Sequence, residues 1–350
     1  MTLGIEGLMK EYIGEIYSYV PNGFARAVFD ANTDLKKNRY KDVVCNDRTR
    51  VVLHDGRPGD YIHANYVRGT RPGYILTQGP LKDSLFDFWR MIIQEQVLAI
   101  CMLCEFQENG RWKCEPYYPE LNESMTFGTI TVKCEEMSKP DRHTHLKVLN
   151  VTDGATGKNV RVSHFKIVTW PDKTVALSNL SILRTHRALR KFVGNVVIHC
   201  SAGVGRTGTF VAIEIGVQLL LNGKTFRLSD LVKALRHCRM TSVQVDTQYL
   251  MMAETFVECG VIFKYIEDPK LIEGFEAFKK QVAEYVEAHP PPVEQYKLKG
   301  GKGEQPSMER LSAERVQPLS RGSKENPPCS VNPISPRPGD KPVSRSREQL

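Results

Sequence analysis

The residues with the most chemistry lie between Val196 and Phe210, in VVIHCSAGVGRTGTF. An apolar run ends at His199-Cys200, a glycine-rich stretch follows with Arg206 inside it, and a helix-compatible apolar segment comes next. A tight glycine turn points successive backbone N–H groups inward and makes an anion nest. The helix after it adds the positive end of its dipole. Arg206 grips two oxygens of a phosphate at once through its planar fork. The same donors stabilise a thiolate at Cys200, and a thiolate touching phosphorus is a nucleophile. Gly203-x-Gly205-x-x-Gly208 also fits a dinucleotide fingerprint. That reading lacks the acidic residue expected at the end of a following strand, and it gives Cys200 and Arg206 no task.

His199-Cys200-Ser201-Ala202-Gly203-Val204-Gly205-Arg206-Thr207-Gly208 resembles the HCxxGxxR[ST]G signature of the protein tyrosine phosphatases, here of non-receptor type. The resemblance extends over residues 20–265 in the family's order. It implies a two-step hydrolysis of phosphotyrosine with Cys200 as nucleophile, Arg206 and the backbone of Ser201, Ala202, Gly203, Val204 and Gly205 holding phosphate, and Thr207 bonding the sulfur. Lys37-Asn38-Arg39-Tyr40 resembles the phosphotyrosine-recognition loop, with Tyr40 as one wall of a deep slot and Asp42 accepting from substrate amides. In ENGRWKCEPYYP, the resemblance gives Glu108 the orientation of Arg206 and Lys113 a contact with the acid loop. Trp170-Pro171-Asp172 resembles that loop, making Asp172 the general acid and then base. Gln244 and Gln248 match the glutamines of the QTxxQY loop, where Gln244 positions the hydrolytic water. Arg236 and Arg239 match paired arginines expected to be structural.

The chain departs from the family in places. Tyr117-Tyr118-Pro119 replaces the usual Tyr-Trp-Pro, which is expected to cost packing alone. Val245 replaces a threonine, and Thr241 stands where some members have glycine. The acid loop continues Lys173-Thr174-Val175-Ala176 rather than x-Gly-Val-Pro. Thr174 is therefore expected to carry strain if the closed turn needs positive φ, and Ala176 to loosen the open loop. A catalytically weak phosphotyrosine-binding module is the rival reading. A phosphoinositide phosphatase fits less well, since the variable positions of the signature carry no lysine.

The elements that must hold these residues are legible from periodicity. Helical patterns cover 85–96, 180–192, 209–221, 229–237, 245–258 and 269–288, with Leu8, Tyr12, Ile16 and Tyr19 on one face near the start. Strand patterns cover 43–44, 61–67, 73–77, 97–104, 126–132, 145–151, 160–169 and 195–198. The irregular interleaving predicts an α/β (α+β) fold, and the resemblance implies a central twisted mixed sheet flanked by helices. Residues 1–290 are expected to form one catalytic domain.

Residues 291–350 hold 11 Lys/Arg against 7 Asp/Glu, half of the formal charge of +8, with half of the 20 prolines and one aromatic. They are expected to form a disordered, Pro-rich basic tail. Pro333-x-x-Pro336 in it is a ligand pattern for an adaptor domain. The remaining charge is too small to argue for nucleic acid. No apolar run reaches the ~20 residues of a membrane span. No signal peptide is legible, and Thr2 is no myristoylation site. Nine scattered cysteines make no disulfide framework, and Cys101-x-x-Cys104 lacks the second pair a zinc site needs. These readings predict a cytoplasmic protein with no metal and no cofactor.

Overall fold

The computed structural model describes residues 4–33 and 36–290, so the expected tail at 291–350 lies outside the described residues. The chain opens with α1 (Gly4–Glu11), a π-helical turn (Tyr12–Tyr17) and α2 (Ala27–Ala31), followed by β1 (Arg50–Val52), β2 (Tyr61–Val67) and β3 (Gly73–Thr77). The helix α3 (Leu85–Gln94) leads to β4 (Ala99–Met102) and a small hairpin, β5 (Gln107–Glu108) and β6 (Arg111–Trp112). A meander follows: β7 (Ser124–Phe127), β8 (Ile130–Asp141), β9 (Thr144–Asp153) and β10 (Asn159–Ile167). Then come α4 (Asn179–Leu189), β11 (Asn195–His199), α5 (Gly205–Leu221), α6 (Leu228–Cys238), α7 (Asp246–Ile262) and α8 (Pro269–Ala288).

Nine strands form one mixed sheet in the order β1-β2-β3-β11-β4-β10-β9-β8-β7. Its centre, β3, β11, β4 and β10, is parallel. There β4 is buried at every residue and β11 at all but its first, as a strand covered on both faces must be. Toward the far edge, β8 begins by alternating buried with exposed, the pattern of a sheet wet on one side. Helix α5 is buried from Gly205 to Val217, which explains why its sequence is apolar all round rather than amphipathic.

Several boundaries differ from those read in the sequence. Val43 and Val44 are buried in a loop and make no strand, whereas the short β1 carries no alternation to announce it. The run 126–132 is the tip of the β7–β8 hairpin, turning through Gly128 at φ 59°. Helix α5 starts four residues before the expected Thr209. The glycine cluster reads as loop, yet Gly205 and Gly208 lie inside the helix. A Cβ at Gly208 would sit 2.7 Å from the Ser242 side chain, so its glycine serves close packing. Cys101 and Cys104 are buried thiols, each pushed up by desolvation.

Candidate active site

Strand β11 delivers Cys200 to the carboxyl end of the parallel centre, where open α/β sheets form their binding crevice. The loop after it turns through Gly203 at φ 71°, where a Cβ would lie 2.1 Å from the Thr77 carbonyl oxygen. No side chain fits there. The loop's carbonyls are engaged on the side away from the nest. Gly79 N–H donates to Ser201 O (2.9 Å), and the buried Arg239 donates through Nη2 to Ala202 O (2.9 Å) and through Nε to Gly203 O (3.0 Å). Arg239 is fixed in turn by His63 Nδ1 (3.0 Å) and Asn65 Oδ1 (2.8 Å) on β2. The Gly203 amide points at the thiol, its N–H reaching Cys200 Sγ at 3.3 Å. The first amides of α5 have no partner within their helix and add to the cradle.

Arg206, in the first turn of α5, is buried. Its Nη1 and Nη2 donate to Glu108 Oε1 (2.6 Å) and Oε2 (3.1 Å), Nη1 also to Trp170 O (2.8 Å), and Nη2 to Asp172 Oδ1 (3.3 Å). Its Nε is buried without a partner, as is Thr207 Oγ1. The expected bond from Thr207 to the sulfur is thus not made; the hydroxyl is a donor left without an acceptor. Burial works against the charge of Arg206, but the Asp172 and Glu108 carboxylates outweigh it and raise its pKa. Lys113 Nζ donates to Asp172 Oδ2 at 2.7 Å. Burial raises the pKa of Asp172, but Arg206, Lys113 and Lys173 together outweigh it and hold the group below its ordinary value.

The acid loop corrects an expectation. The residue with positive φ is Lys173 (φ 55°), not Thr174. Thr174 is put to use as it stands: its carbonyl accepts from Trp170 Nε1 (2.9 Å), and its hydroxyl donates back to Pro171 O (3.0 Å). Ala176 is buried, and its N–H donates to Met251 Sδ (3.5 Å), a bond proline cannot make. Strain belongs to Lys173, so Lys173→Gly should stabilise the domain by about 0.5–1 kcal/mol, part of the relief being offset by unfolded-state entropy. Thr174→Gly should destabilise it by a similar amount, through lost hydrogen bonds and added chain freedom. Opposite shifts in Tm by calorimetry check the pair; equal shifts would place the strain elsewhere.

The rim is built by two further segments. Tyr40 OH meets Ser201 Oγ at 2.9 Å, and Asp42 is exposed beside it. Their loop is pinned by Gln78, which accepts from Arg39 N (2.9 Å) and donates to Lys37 O (2.7 Å). Gln244 and Gln248 lie over Gly205, where a Cβ would come within 3.1 Å of both amide groups. Gln248 Oε1 accepts from Gln244 N at 3.0 Å. The residue before Gln244, Val243, is β-branched, buried and at φ 60°. Such an outlier persists only when its surroundings over-determine it. Here Arg236 donates to Val243 O and Ser242 O (both 3.0 Å), and Val243 N donates to Val204 O (3.1 Å). Among the described residues, no three His, Cys, Asp or Glu side chains converge as a metal set.

A family model described as Protein-tyrosine phosphatase matches residues 34–258. The chain belongs to the protein-tyrosine phosphatase family. Human tyrosine-protein phosphatase non-receptor type 12 is 37% identical over 240 residues, covering 65% of this chain and 30% of that protein. Mouse non-receptor type 18 is 36% identical over 234 residues, 63% of this chain and 51% of that protein. Rat receptor-type phosphatase zeta is 35% identical over 282 residues, 75% of this chain and 12% of that protein. The chain thus spans about half or less of the length of these relatives. Among solved structures, the catalytic domain of human non-receptor type 18 superposes with a TM-score of 0.67 at 30% identity, covering 73% of this chain and 95% of that one. Type 18 in complex with HER2 phosphopeptides gives 0.66 at 30% identity, covering 73% of this chain and 99% of the other.

Behind the phosphatase cradle lies a network that the sequence does not announce. Tyr117 OH sits between His164 Nε2 (2.6 Å) and His199 Nε2 (2.7 Å), and His199 Nδ1 faces Cys200 O (3.2 Å). A carbonyl only accepts, so His199 carries its proton on Nδ1. Its Nε2 accepts from Tyr117, whose oxygen accepts in turn from His164. Burial supports these neutral forms, pushing His199 down to about 4, His164 well below its ordinary value and Tyr117 well above its own. Arg239 is the other feature missed. Its match to a family pair marked it as structural, but nothing in the sequence placed it on the carbonyls of Ala202 and Gly203.

Proposed function

We propose that this phosphatase hydrolyses phosphotyrosine in proteins through a cysteinyl-phosphate. The convergence of Cys200, Arg206 and Asp172 on one cradle carries the reading. The Cys200 thiolate attacks phosphorus while the bond to the tyrosyl oxygen breaks, and Asp172 gives that oxygen its proton. The cradle amides and Arg206 hold the equatorial oxygens, with the unpaired Nε available as a further donor. In the second step water attacks phosphorus, the S–P bond breaks, Asp172 takes the proton, and the thiolate and inorganic phosphate are restored. Gln244 positions that water with Gln248 beside it. Tyr40 walls the slot and Asp42 receives substrate amides; His199, Trp170, Glu108 and Lys113 support the reacting groups.

Asp172 is ionised in the ligand-free enzyme, tied to Arg206 and Lys113. A bound phosphate dianion competes for Arg206 and adds negative charge nearby. Both effects favour the protonated carboxyl, so substrate itself arms the acid. Asp172→Ala is therefore expected to lower kcat on phenyl phosphate by ~10²-fold and to matter little for an ester whose leaving group needs no proton. The same variant should retain phosphotyrosine proteins in a pull-down. An equal loss on both esters would remove Asp172 as the acid. The rival binding module would turn over neither ester.

The relative solved with phosphopeptides supports phosphotyrosine proteins as the substrate class. No helix of the described residues is long and apolar enough to cross a membrane. A catalytic thiolate at Cys200 needs a reducing compartment, which supports action in the cytoplasm. Residues 1–290 are proposed as the catalytic domain, and the Pro333-x-x-Pro336 pattern within 291–350 supports an adaptor-domain ligand there.

A further inference from the structure

The exit of the acid loop meets α7 at two points. Ala176 N–H donates to Met251 Sδ at 3.5 Å, and Asn179 Nδ2 donates to Glu254 Oε1 at 3.1 Å. The partners stand three residues apart on each side. Met251 and Glu254 therefore share one face of α7 a turn apart. The four contacting residues, with Val175, Leu180 and Lys279, also line a pocket of about 250 Å³. The donor at 176 exists because this chain has no proline there. Helix α7 also carries Gln248 one turn before Met251, so the acid loop and the glutamines are fastened to the same rod.

We propose that Met251 and Glu254 are positioning residues that latch the acid loop onto α7 and so set the place of Asp172. The proposal rests on Asp172 being the general acid. Glu254 also makes the latch responsive to pH. Burial, then Glu258 on its own helix, push its carboxyl up to about 7. From α8, Lys279 opposes that and Glu276 adds to it, while Asn179 of α4 lowers it through its hydrogen bond. Lys279 is bonded to Glu276 at 2.9 Å. The Asn179 amide favours the ionised carboxyl, but burial disfavours it by more, so the latch loosens as pH rises through 7. Domain stability moves the same way. A carboxyl whose folded pKa is raised contributes stability present below its unfolded value of 4.5 and lost as pH rises through about 7.

The test is kcat on phenyl phosphate for Met251→Leu and Glu254→Leu, each with Asp172 and with Asp172→Ala. Each change should lower kcat about threefold with KM unchanged while Asp172 is present, the loss of one weak or ordinary hydrogen bond. Neither should cost anything further in the Asp172→Ala background. Equal losses in both backgrounds, or none in either, would overturn the latch. A full-rate Asp172→Ala enzyme would instead overturn the acid reading, and the latch with it. Glu254→Gln keeps the acceptor and removes the titration. Its Tm advantage over the parent should grow from pH 5 to 7.5, and its kcat should lose the parent's response around pH 7. A Tm difference that ignores pH would overturn the role of Glu254 as the titrating half.

Discussion

Cys200→Ser is expected to abolish turnover while phosphotyrosine peptide still binds. A serine hydroxyl stays protonated at neutral pH and is a far weaker nucleophile than a thiolate, so the phosphoenzyme does not form. The expected fall in kcat is ~10⁴-fold or more. Binding should survive because the cradle does not depend on the sulfur. Its carbonyls are held by Arg239 and Gly79, its glycine turn is fixed by contact with Thr77, and Arg206 is bonded to Glu108 and Trp170. Titration calorimetry with a phosphotyrosine peptide checks binding, and steady-state rates check turnover. Retention of more than about 1% of the parental rate would remove Cys200 as the nucleophile, since a loss that small is within reach of misplacement alone.

Arg206→Lys should lower kcat/KM by ~10³-fold, the equivalent of one or two transition-state donors. The charge is kept, so the loss isolates geometry. In the parent, one buried guanidinium serves Glu108 twice, Trp170 O and Asp172, and still has Nε to offer. Lysine has three donors on a single point and cannot make paired parallel bonds to Glu108 and to a phosphate together. It also releases Trp170, the first residue of the acid loop. Asp172→Ala should therefore cost less in the Arg206→Lys background than alone, a non-additivity that a double-mutant cycle measures. Near-parental kcat/KM for Arg206→Lys would sink the bidentate reading. Strict additivity would separate the arginine from the acid loop.

What the sequence discloses and what it hides divide along physical lines. The run His199 to Gly208 is legible because its ten residues are contiguous and their types are matched to one anion. The parallel centre is legible because burial on both faces leaves an unbroken apolar run at 196–198. The start of α5 is not, since glycines required for close packing look the same as glycines required for a turn. Lys173 shows a similar limit: the family's glycine lies one position later, but backbone angle is set by how the whole loop docks. Arg239 and Tyr117 act across 36 and 82 residues of chain on Gly203 and His199, and no spacing rule links partners so far apart.

The clamp of Arg239 on Ala202 and Gly203 has a consequence for inhibitors. The anion receptor is rigid before any ligand arrives, so small tetrahedral oxyanions should occupy it whatever they are attached to. Affinity for that head group is then a fixed quantity, shared by every compound that carries one. Selectivity has to be sought outside the cradle, at the rim where Tyr40 OH meets Ser201 Oγ. A compound that reaches the rim with a weaker head group will discriminate better than one that perfects its fit to the cradle.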